Sequence, residues 1–303
     1  VWDGKIRLYS YATGQLYVGL YTYLKYWCKK KSLNIVESSQ ILTYNNGIAA
    51  DIDGLIESYD ISITPRDYQI AAFKFALEYE RGLVLSPTAS GKSLIIYMLC
   101  RHYLNMINNN ILIIVPTTSL VEQLYKDFKD YGFDVETNVS RKYHGYDIDE
   151  DKRIVISTWQ SLYKMPKKFF EDYGAVIGDE AHLFKAVSLT KIMTKLTDCK
   201  YRIGLTGTLD DSKTHKLVLQ GLFGMVNKVV STTELIERKQ LANLKIKCLN
   251  LKYPETEAKK VYGVKYFEEL EYLTQNTARN KYIRNLALAL NGNTLCLFQL
   301  VEK

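Results

Sequence analysis

The run Ser86-Pro87-Thr88-Ala89-Ser90-Gly91-Lys92-Ser93 holds the densest chemistry in the chain. It lies between the apolar stretch Leu83 to Leu85 and a second apolar stretch from Lys92 onward that reads as a helix. A loop that binds phosphate needs consecutive backbone N–H groups facing one concavity, with a helix N-terminus behind them to favour the anion. Pro87, Thr88, Ala89, Ser90 and Gly91 would form that loop. Lys92 would reach the β- and γ-phosphates of ATP, and the Ser93 hydroxyl would ligate Mg2+. Ser86 stands where the usual pattern has glycine. Gly91-Lys92-Ser93 alone matches weakly; its weight comes from the strand-loop-helix setting.

Two further groups follow in order. Asp179-Glu180-Ala181-His182 comes directly after the apolar run Ala175 to Ile177. Carboxylates at the C-terminal end of a parallel strand sit where such sheets bind ligands. Asp179 would hold magnesium through its water shell, and Glu180 would orient and deprotonate the attacking water. Lys92, Asp179 and Glu180 are therefore the expected catalytic residues. Thr206-Gly207-Thr208 ends the run Tyr201 to Leu205, and its hydroxyls (Thr206, Thr208) are placed to contact His182 or Glu180 and report the γ-phosphate. Paired acids also occur in solvated turns, and Thr-Gly-Thr turns are common. Order and position give both groups their meaning.

The elements that must position these residues are legible. Leu83 to Leu85, Ile111 to Val115, Ile154 to Ser157, Ala175 to Ile177 and Tyr201 to Leu205 are short continuous apolar runs. They alternate with helical patterns such as Leu120 to Tyr131, which predicts an α/β nucleotide-binding fold with helices on both faces of a parallel sheet. Thr64-Pro65 predicts a helix start, with Tyr68, Ala71, Ala72, Phe75, Ala76 and Tyr79 on one face and Gly82 closing it. Ala49 to Ile63 reads as a connector. Asn45-Asn46-Gly47 is a turn signal. Leu244 to Leu251 and Leu295 to Gln299 read as strands around one or two helices over Phe267 to Leu290. The expected domains are a small α+β part over 1–60, a motor domain over 61–240 and the start of a second motor domain over 241–303.

The ordered set resembles superfamily 2 helicases. Arg66-Asp67-Tyr68-Gln69, the loop Pro87 to Ser93, Val115-Pro116-Thr117, Ser157-Thr158-Trp159-Gln160, Asp179 to His182 and Thr206 to Thr208 carry the likeness over about residues 60 to 235. The resemblance implies a RecA-like fold, ATP with Mg2+, and adenine contact through Arg66 and Gln69, whose amide suits the N6 and N7 edge. It implies nucleic-acid contact by Pro116, Thr117, Ser157 and Thr158, through hydroxyls and backbone N–H groups. The flanks, Trp2 to Leu8 and Leu222-Phe223-Gly224 through Thr232-Thr233-Glu234-Leu235, resemble phage recombination helicases of that superfamily. They imply action on branched or duplex DNA. A second motor domain in cis would supply arginines to the active site, so the 303-residue chain is expected to bind ATP without DNA-stimulated turnover.

Residues 1–31 carry six basic side chains (Lys5, Arg7, Lys25, Lys29, Lys30, Lys31) against the single acid Asp3, with aromatics interleaved. Lys5, Arg7, Lys29, Lys30 and Lys31 are expected to neutralise DNA phosphates. Most of the aromatics (Trp2, Tyr9, Tyr11, Tyr17, Tyr21, Tyr23, Tyr26, Trp27) are expected to form the core of a small β-rich unit. Its strands would be Lys5 to Tyr9 and Leu16 to Leu20, joined at Ala12-Thr13-Gly14. A helix follows, with Leu20, Leu24, Trp27 and Cys28 on one face.

The net charge of +7 suits a polyanionic partner without demanding one. The five cysteines are scattered without metal-ligand spacing, which points to reduced thiols in a cytoplasmic protein. No apolar run is long enough to span a bilayer, so no membrane partner is expected. His102 and His215 show no constellation, and His144 reads as solvent-exposed. The readings left open are a DNA helicase, a restriction-type DNA translocase subunit, an RNA helicase and a nucleotide-gated nucleic-acid-binding protein with little turnover.

Overall fold

The apolar runs become strands because each is apolar on both faces. In the run Ile111 to Val115, Ile111, Ile113 and Val115 enter one buried cluster, while Leu112 and Ile114 enter a second on the other face. Only a sheet covered on both sides meets that pattern. The computed structural model describes residues 7–37, 51–143, 148–149, 151–183, 186–209, 213–243 and 245–297. It divides into two compact units, Val1–Asn243 and Leu244–Lys303.

In chain order the first unit contains β1 (Tyr9–Ser10), β2 (Gln15–Leu16), α1 (Tyr21–Lys30), α2 (Ile52–Glu57), α3 (Asp67–Tyr79), β3 (Arg81–Leu85) and α4 (Lys92–Met106). Then come β4 (Asn110–Val115), α5 (Thr118–Asp130), α6 (Val135–Asn138), β5 (Val139–Lys142), β6 (Ile154–Thr158) and α7 (Trp159–Leu162). It ends with β7 (Tyr173–Gly178), α8 (Ala186–Lys195), β8 (Tyr201–Thr206), α9 (Lys213–Phe223), β9 (Met225–Lys228) and α10 (Thr232–Glu237). Seven strands form one sheet in the order β5-β6-β4-β7-β8-β3-β9, and every pairing in it is parallel. Helices α4 and α5 pack on one face; α8 and α9 pack on the other. This is the expected RecA-like architecture. The loops after β3, β7 and β8 emerge at the same end of the sheet, so the three chemical groups converge there.

Several local expectations are corrected. The helix expected at Thr64-Pro65 begins at Asp67, because the Gln69 side chain accepts from the Arg66 N–H (2.8 Å) and caps the first turn there. It ends at Tyr79, with Glu80 in the left-handed region at φ 54° rather than at Gly82. The Lys200 ammonium 2.7 Å from the Glu80 carboxylate holds that strained turn. Gly82 instead lies within β3, where a Cβ would stand 2.4 Å from the Phe75 ring. The connector contains α2, started by the Asp51 side chain accepting from the Gly54 N–H (2.8 Å). The strand expected over Leu16 to Leu20 stops at Leu16, and Val18–Leu20 forms a 3-10 turn. Lys5, Ile6, Trp2, His144 and the turn at Asn45-Asn46-Gly47 lie outside the described residues.

The aromatic core expected near the N-terminus is not formed among the described residues. Tyr11 is 93% exposed, Tyr26 70% and Trp27 51%. Two strands of two residues each cannot enclose a core. This segment buries Leu20 and Cys28 and leans on the main sheet, with Leu8 and Tyr17 packed against the α8–α9 side.

The second unit holds α11 (Glu255–Lys260), α12 (Tyr266–Gln275) and α13 (Thr277–Ala289). Neither Lys245 to Leu251 nor Leu295 to Leu297 is a strand, and Leu244, Phe298 and Gln299 lie outside the described residues. A strand needs a neighbour to pair its backbone, and none lies among the described residues here. None of these three helices buries a side chain. Among the described residues of the chain, no helix is long and apolar enough to cross a membrane.

Candidate active site

The candidate phosphate loop, residues 86–93, is shaped by the first turn of α3. Gln69 Nε2 donates to the carbonyls of Ser90 (3.0 Å) and Gly91 (3.1 Å). Tyr68 Oη donates to the same Ser90 carbonyl (3.0 Å) and accepts from Arg66 Nη1 (2.9 Å). In a trans peptide the N–H points opposite to the C=O. Drawing these two carbonyls toward α3 therefore turns the N–H groups of Gly91 and Lys92 to the other side, toward the loop's concavity. Ala89 (φ 64°) and Gly91 (φ 78°) adopt the left-handed backbone that such a loop requires. A Cβ on Gly91 would stand 2.4 Å from Gln69 Nε2.

The departure at Ser86 has a local reason. This fully buried serine places its hydroxyl 2.7 Å from that of Ser90 and donates its backbone N–H to the Thr206 carbonyl (2.9 Å). It closes the base of the loop and ties β3 to β8.

Lys92 opens α4 with its ammonium buried, 2.9 Å from Glu180 Oε1. Asp179 extends from β7, its N–H donating to the Ile114 carbonyl (2.9 Å) and its Oδ1 accepting from the Glu180 N–H (2.9 Å). Burial, and then repulsion from Glu180, push the Asp179 carboxyl up to about 6, with Lys92 opposing. Glu180 itself lies at φ 48°. His182 Nδ1 is 2.6 Å from Thr206 Oγ1 and 3.4 Å from Glu180 Oε2. The Thr206 hydroxyl spends its one hydrogen on the Thr208 carbonyl (2.7 Å), so it accepts from His182, which must carry its proton on Nδ1. The structure thus links Lys92, Glu180, His182 and Thr206 in one chain of contacts.

Ser93 Oγ lies 2.8 Å from Tyr131 Oη, and Asp127 also faces it; burial raises the Asp127 carboxyl while the Ser93 hydrogen bond lowers it. At the ends of the adjacent strands β4 and β6, Thr117 Oγ1 accepts from the Leu120 N–H (3.3 Å) and caps α5. The Pro116 carbonyl accepts from Gln160 Nε2 (3.2 Å). Thr158 Oγ1 is 3.0 Å from Ser161 Oγ. The fully buried Ser157 hydroxyl donates to the Lys142 carbonyl (2.8 Å). Lys29, Lys30, Lys31 and Arg7 are exposed and far in sequence from this cluster; Lys5 is outside the described residues.

Four contributors were not foreseen. Tyr68 is a second anchor for the loop, a role that neither its place on the apolar face nor its place in the Arg66 to Gln69 motif announced. Gly207 permits close approach, since its Cβ would sit 3.2 Å from Thr88 Oγ1. His215, expected to have no partner group, donates Nε2–H to the His182 carbonyl (3.2 Å). Arg238 Nη1 donates to both oxygens of the Asp67 carboxylate (3.0 and 2.8 Å), while Leu235 and Val230 pack on Tyr68. The last links α10 to the turn that shapes the phosphate loop, and the spacing of the residues gives no sign of it.

Known proteins resemble this chain in sequence and fold. Residues 62–211 match the family model described as type III restriction enzyme, res subunit. The chain is 35% identical over 313 residues to the ATP-dependent DNA helicase uvsW of Enterobacteria phage T4, covering 99% of this chain and 62% of that protein. It is 30% identical over 202 residues to the DNA 3'-5' translocase XPB2 of Sulfurisphaera tokodaii, covering 66% of this chain and 43% of that protein. A crystal structure of the UvsW helicase from bacteriophage T4 superposes with a TM-score of 0.71 at 33% identity, over 75% of this chain and 83% of that one. The Pyrococcus furiosus Hef helicase domain, 20% identical with a TM-score of 0.50 over 65% of this chain and 44% of that one, shares the fold. The chain thus spans less than two thirds of the curated relatives it matches.

Proposed function

This chain belongs to the UvsW helicase family, and from that premise we propose that it is the nucleotide-hydrolysing part of an ATP-dependent DNA helicase acting on branched or duplex DNA. One observation carries the reading: Lys92, Asp179, Glu180, His182 and Thr206 converge beside a phosphate loop at one end of a parallel sheet. We assign residues 1–60 to a small DNA-binding part, 61–240 to the first motor domain and 241–303 to the start of a second.

The residues present fit a magnesium nucleotide. The Asp179 carboxylate is buried at a cost that a cation would relieve, and Mg2+ typically takes one or two carboxylates plus phosphate oxygens and water. Asp179 would hold the ion, which supplies charge neutralisation at the phosphates; Ser93 would join it only by giving up its present bond to Tyr131. The N–H groups of Gly91 and Lys92 and the Lys92 ammonium bind phosphate oxygens. Arg66 and Gln69 lie at the adenine side; Gln69 reaches the base by exchanging one of its present bonds. Glu180 accepts the proton of the attacking water. His182 and Thr206 carry the change at Glu180 to β8. Of the four residues expected at the nucleic acid, Thr117 is exposed at the end of β4 and would reach a phosphate, whereas Pro116, Ser157 and Thr158 are buried and would shape the strand ends from beneath.

The test is ATP hydrolysis by the full-length protein with single-stranded, duplex, forked and four-way DNA, and with RNA. DNA, most of all branched DNA, should stimulate the rate. Stimulation by RNA alone, or none by any nucleic acid, would refute the reading. The match to a restriction res subunit supports a second reading, a restriction-type DNA translocase subunit. ATP-driven displacement of a labelled strand separates the two.

A further inference from the structure

On the face opposite α4 and α5, Lys164 and Lys191 flank Tyr163, and the exposed Lys167 and Lys168 follow on the same short segment. The segment after α7 carries Tyr163, Lys164, Lys167 and Lys168, and α8 sets Lys191 beside them. Lys195 fixes the segment by donating to the carbonyls of Met165 (2.6 Å) and Tyr163 (3.3 Å), and Phe170 is fully buried behind it. The Lys191 ammonium lies 5.1 Å from the Tyr163 ring centroid. Among the described residues, Lys164, Lys167, Lys168 and Lys191 form no ion pair. The nearest acids in sequence are Glu171 and Asp172, which follow the turn.

The surface is open and borders the N-terminal hairpin. A hollow of 570 Å³ is lined by Tyr163, Lys164, Lys191, Thr194 and Lys195. Thr194 also lines a neighbouring hollow of 740 Å³ that includes Arg7, Tyr9 and Tyr11. Neither belongs to the nucleotide site: Lys167 and Lys168 precede the N-terminal end of β7, whereas Asp179 follows its C-terminal end.

Four unneutralised ammonium groups on a braced surface form a site for repeated anions. Lysine acts as a point charge and does not read base edges as a forked group does. The one aromatic within the patch, Tyr163, has Lys191 over its ring, so base stacking is blocked there. Phosphates presented with their bases enclosed suit this chemistry, and duplex DNA presents them so. We propose that Lys164, Lys167, Lys168 and Lys191 hold the backbone of a duplex arm away from the strand-end site. This rests on the DNA-helicase reading above.

The test measures binding of the full-length protein to a labelled blunt duplex and to the corresponding single strand, each across a salt series. The variant replaces Lys164, Lys167 and Lys168 by alanine, leaving Lys191 on Tyr163. A control replaces Lys74, Lys126 and Lys129, which are exposed on the opposite face. Each lost phosphate contact removes about 0.9 from the salt slope, so the patch variant should flatten the duplex slope by about two to three. Duplex affinity at low salt should fall at least about tenfold, single-strand affinity far less, and the control variant should match wild type. The arginine triple K164R/K167R/K168R should restore binding, which separates charge from folding. An unchanged duplex slope in a protein that otherwise binds DNA overturns this surface alone, as does an equal loss for single strands. A wild-type protein that binds no DNA overturns the helicase reading and this surface with it.

Discussion

Asp179→Asn should make the nucleotide-free protein more stable while destroying its ability to bind magnesium nucleotide. The carboxylate is nine-tenths buried, and burial with repulsion from Glu180 raises it from 3.8 to about 6. Each pH unit across that interval is worth about 1.36 kcal/mol, so ionised Asp179 costs about 3 kcal/mol at neutral pH. A carboxyl whose pKa rises on folding binds its proton more tightly in the folded chain. Its contribution is therefore fully present below pH 3.8 and is lost as pH rises through about 6. Asparagine keeps the shape and the bond to the Glu180 N–H but never ionises. Urea unfolding followed by tryptophan fluorescence should show variant and wild type nearly equal at pH 4. The variant should be favoured by up to about 3 kcal/mol at pH 7.5, a large share of a domain's total stability. Magnesium with ATP should raise the wild-type midpoint and leave the variant's unmoved. A variant no more stable than wild type at pH 7.5, or a gap that does not change with pH, would refute the claim that Asp179 is strained without its cation.

Other outcomes test the remaining geometry. Lys92→Ala should abolish binding of a fluorescent nucleotide, whereas Glu180→Gln should bind it nearly as wild type and lose turnover in the full-length protein; wild-type hydrolysis by Glu180→Gln would remove Glu180 as the base. Gly91→Ala combines a left-handed backbone with a contact at 2.4 Å to Gln69 Nε2. That strain, about 1–3 kcal/mol, should weaken nucleotide binding roughly 5- to 150-fold in the same titration. Arg238→Ala removes an exposed ion pair and should cost under about 1 kcal/mol in urea unfolding, while Leu235→Ala, fully buried against Tyr68, should cost about 2–5. Replacing Lys29, Lys30 and Lys31 by alanine should flatten the salt dependence of DNA binding by up to about 0.9 per lysine; an unchanged slope would leave them as a solvated helix end.

The sheet was readable because each strand is apolar on both faces, a pattern with few other uses in a chain of this composition. The loop, the acid pair and the Thr-Gly-Thr turn were readable because position along alternating elements decides their meaning. Contacts made at a distance were not. Nothing local distinguishes Tyr68 as an anchor of Ser90, because the bond depends on how α3 lies across the loop after β3. Thr64-Pro65 gave a misleading start signal, since the Gln69 amide captures the Arg66 N–H and sets the boundary later. Strands β5 and β9 escaped notice because edge strands are shorter and partly polar, as Val139-Ser140-Arg141-Lys142 and Met225-Val226-Asn227-Lys228 are. The aromatic N-terminal segment was misjudged for a further reason: abundance of rings does not create a core where the strands are too short to enclose one.

The strand order also governs when the site can exist during synthesis. β3, which delivers the phosphate loop, has as its two neighbours β8 and β9, with Arg81 opposite Arg202 and Gly82 opposite Met225. The strands made between them can pair with one another first, since β4 lies between β6 and β7. A ribosome-bound chain therefore carries β3, with both backbone edges unpaired, until residues 201–228 have emerged. Such distant pairing slows folding and leaves an apolar edge open to wrong partners. The loop is among the first parts of this sheet to be translated and among the last to acquire its shape, so on the proposed function a nascent chain would not capture nucleotide before its sheet is nearly complete.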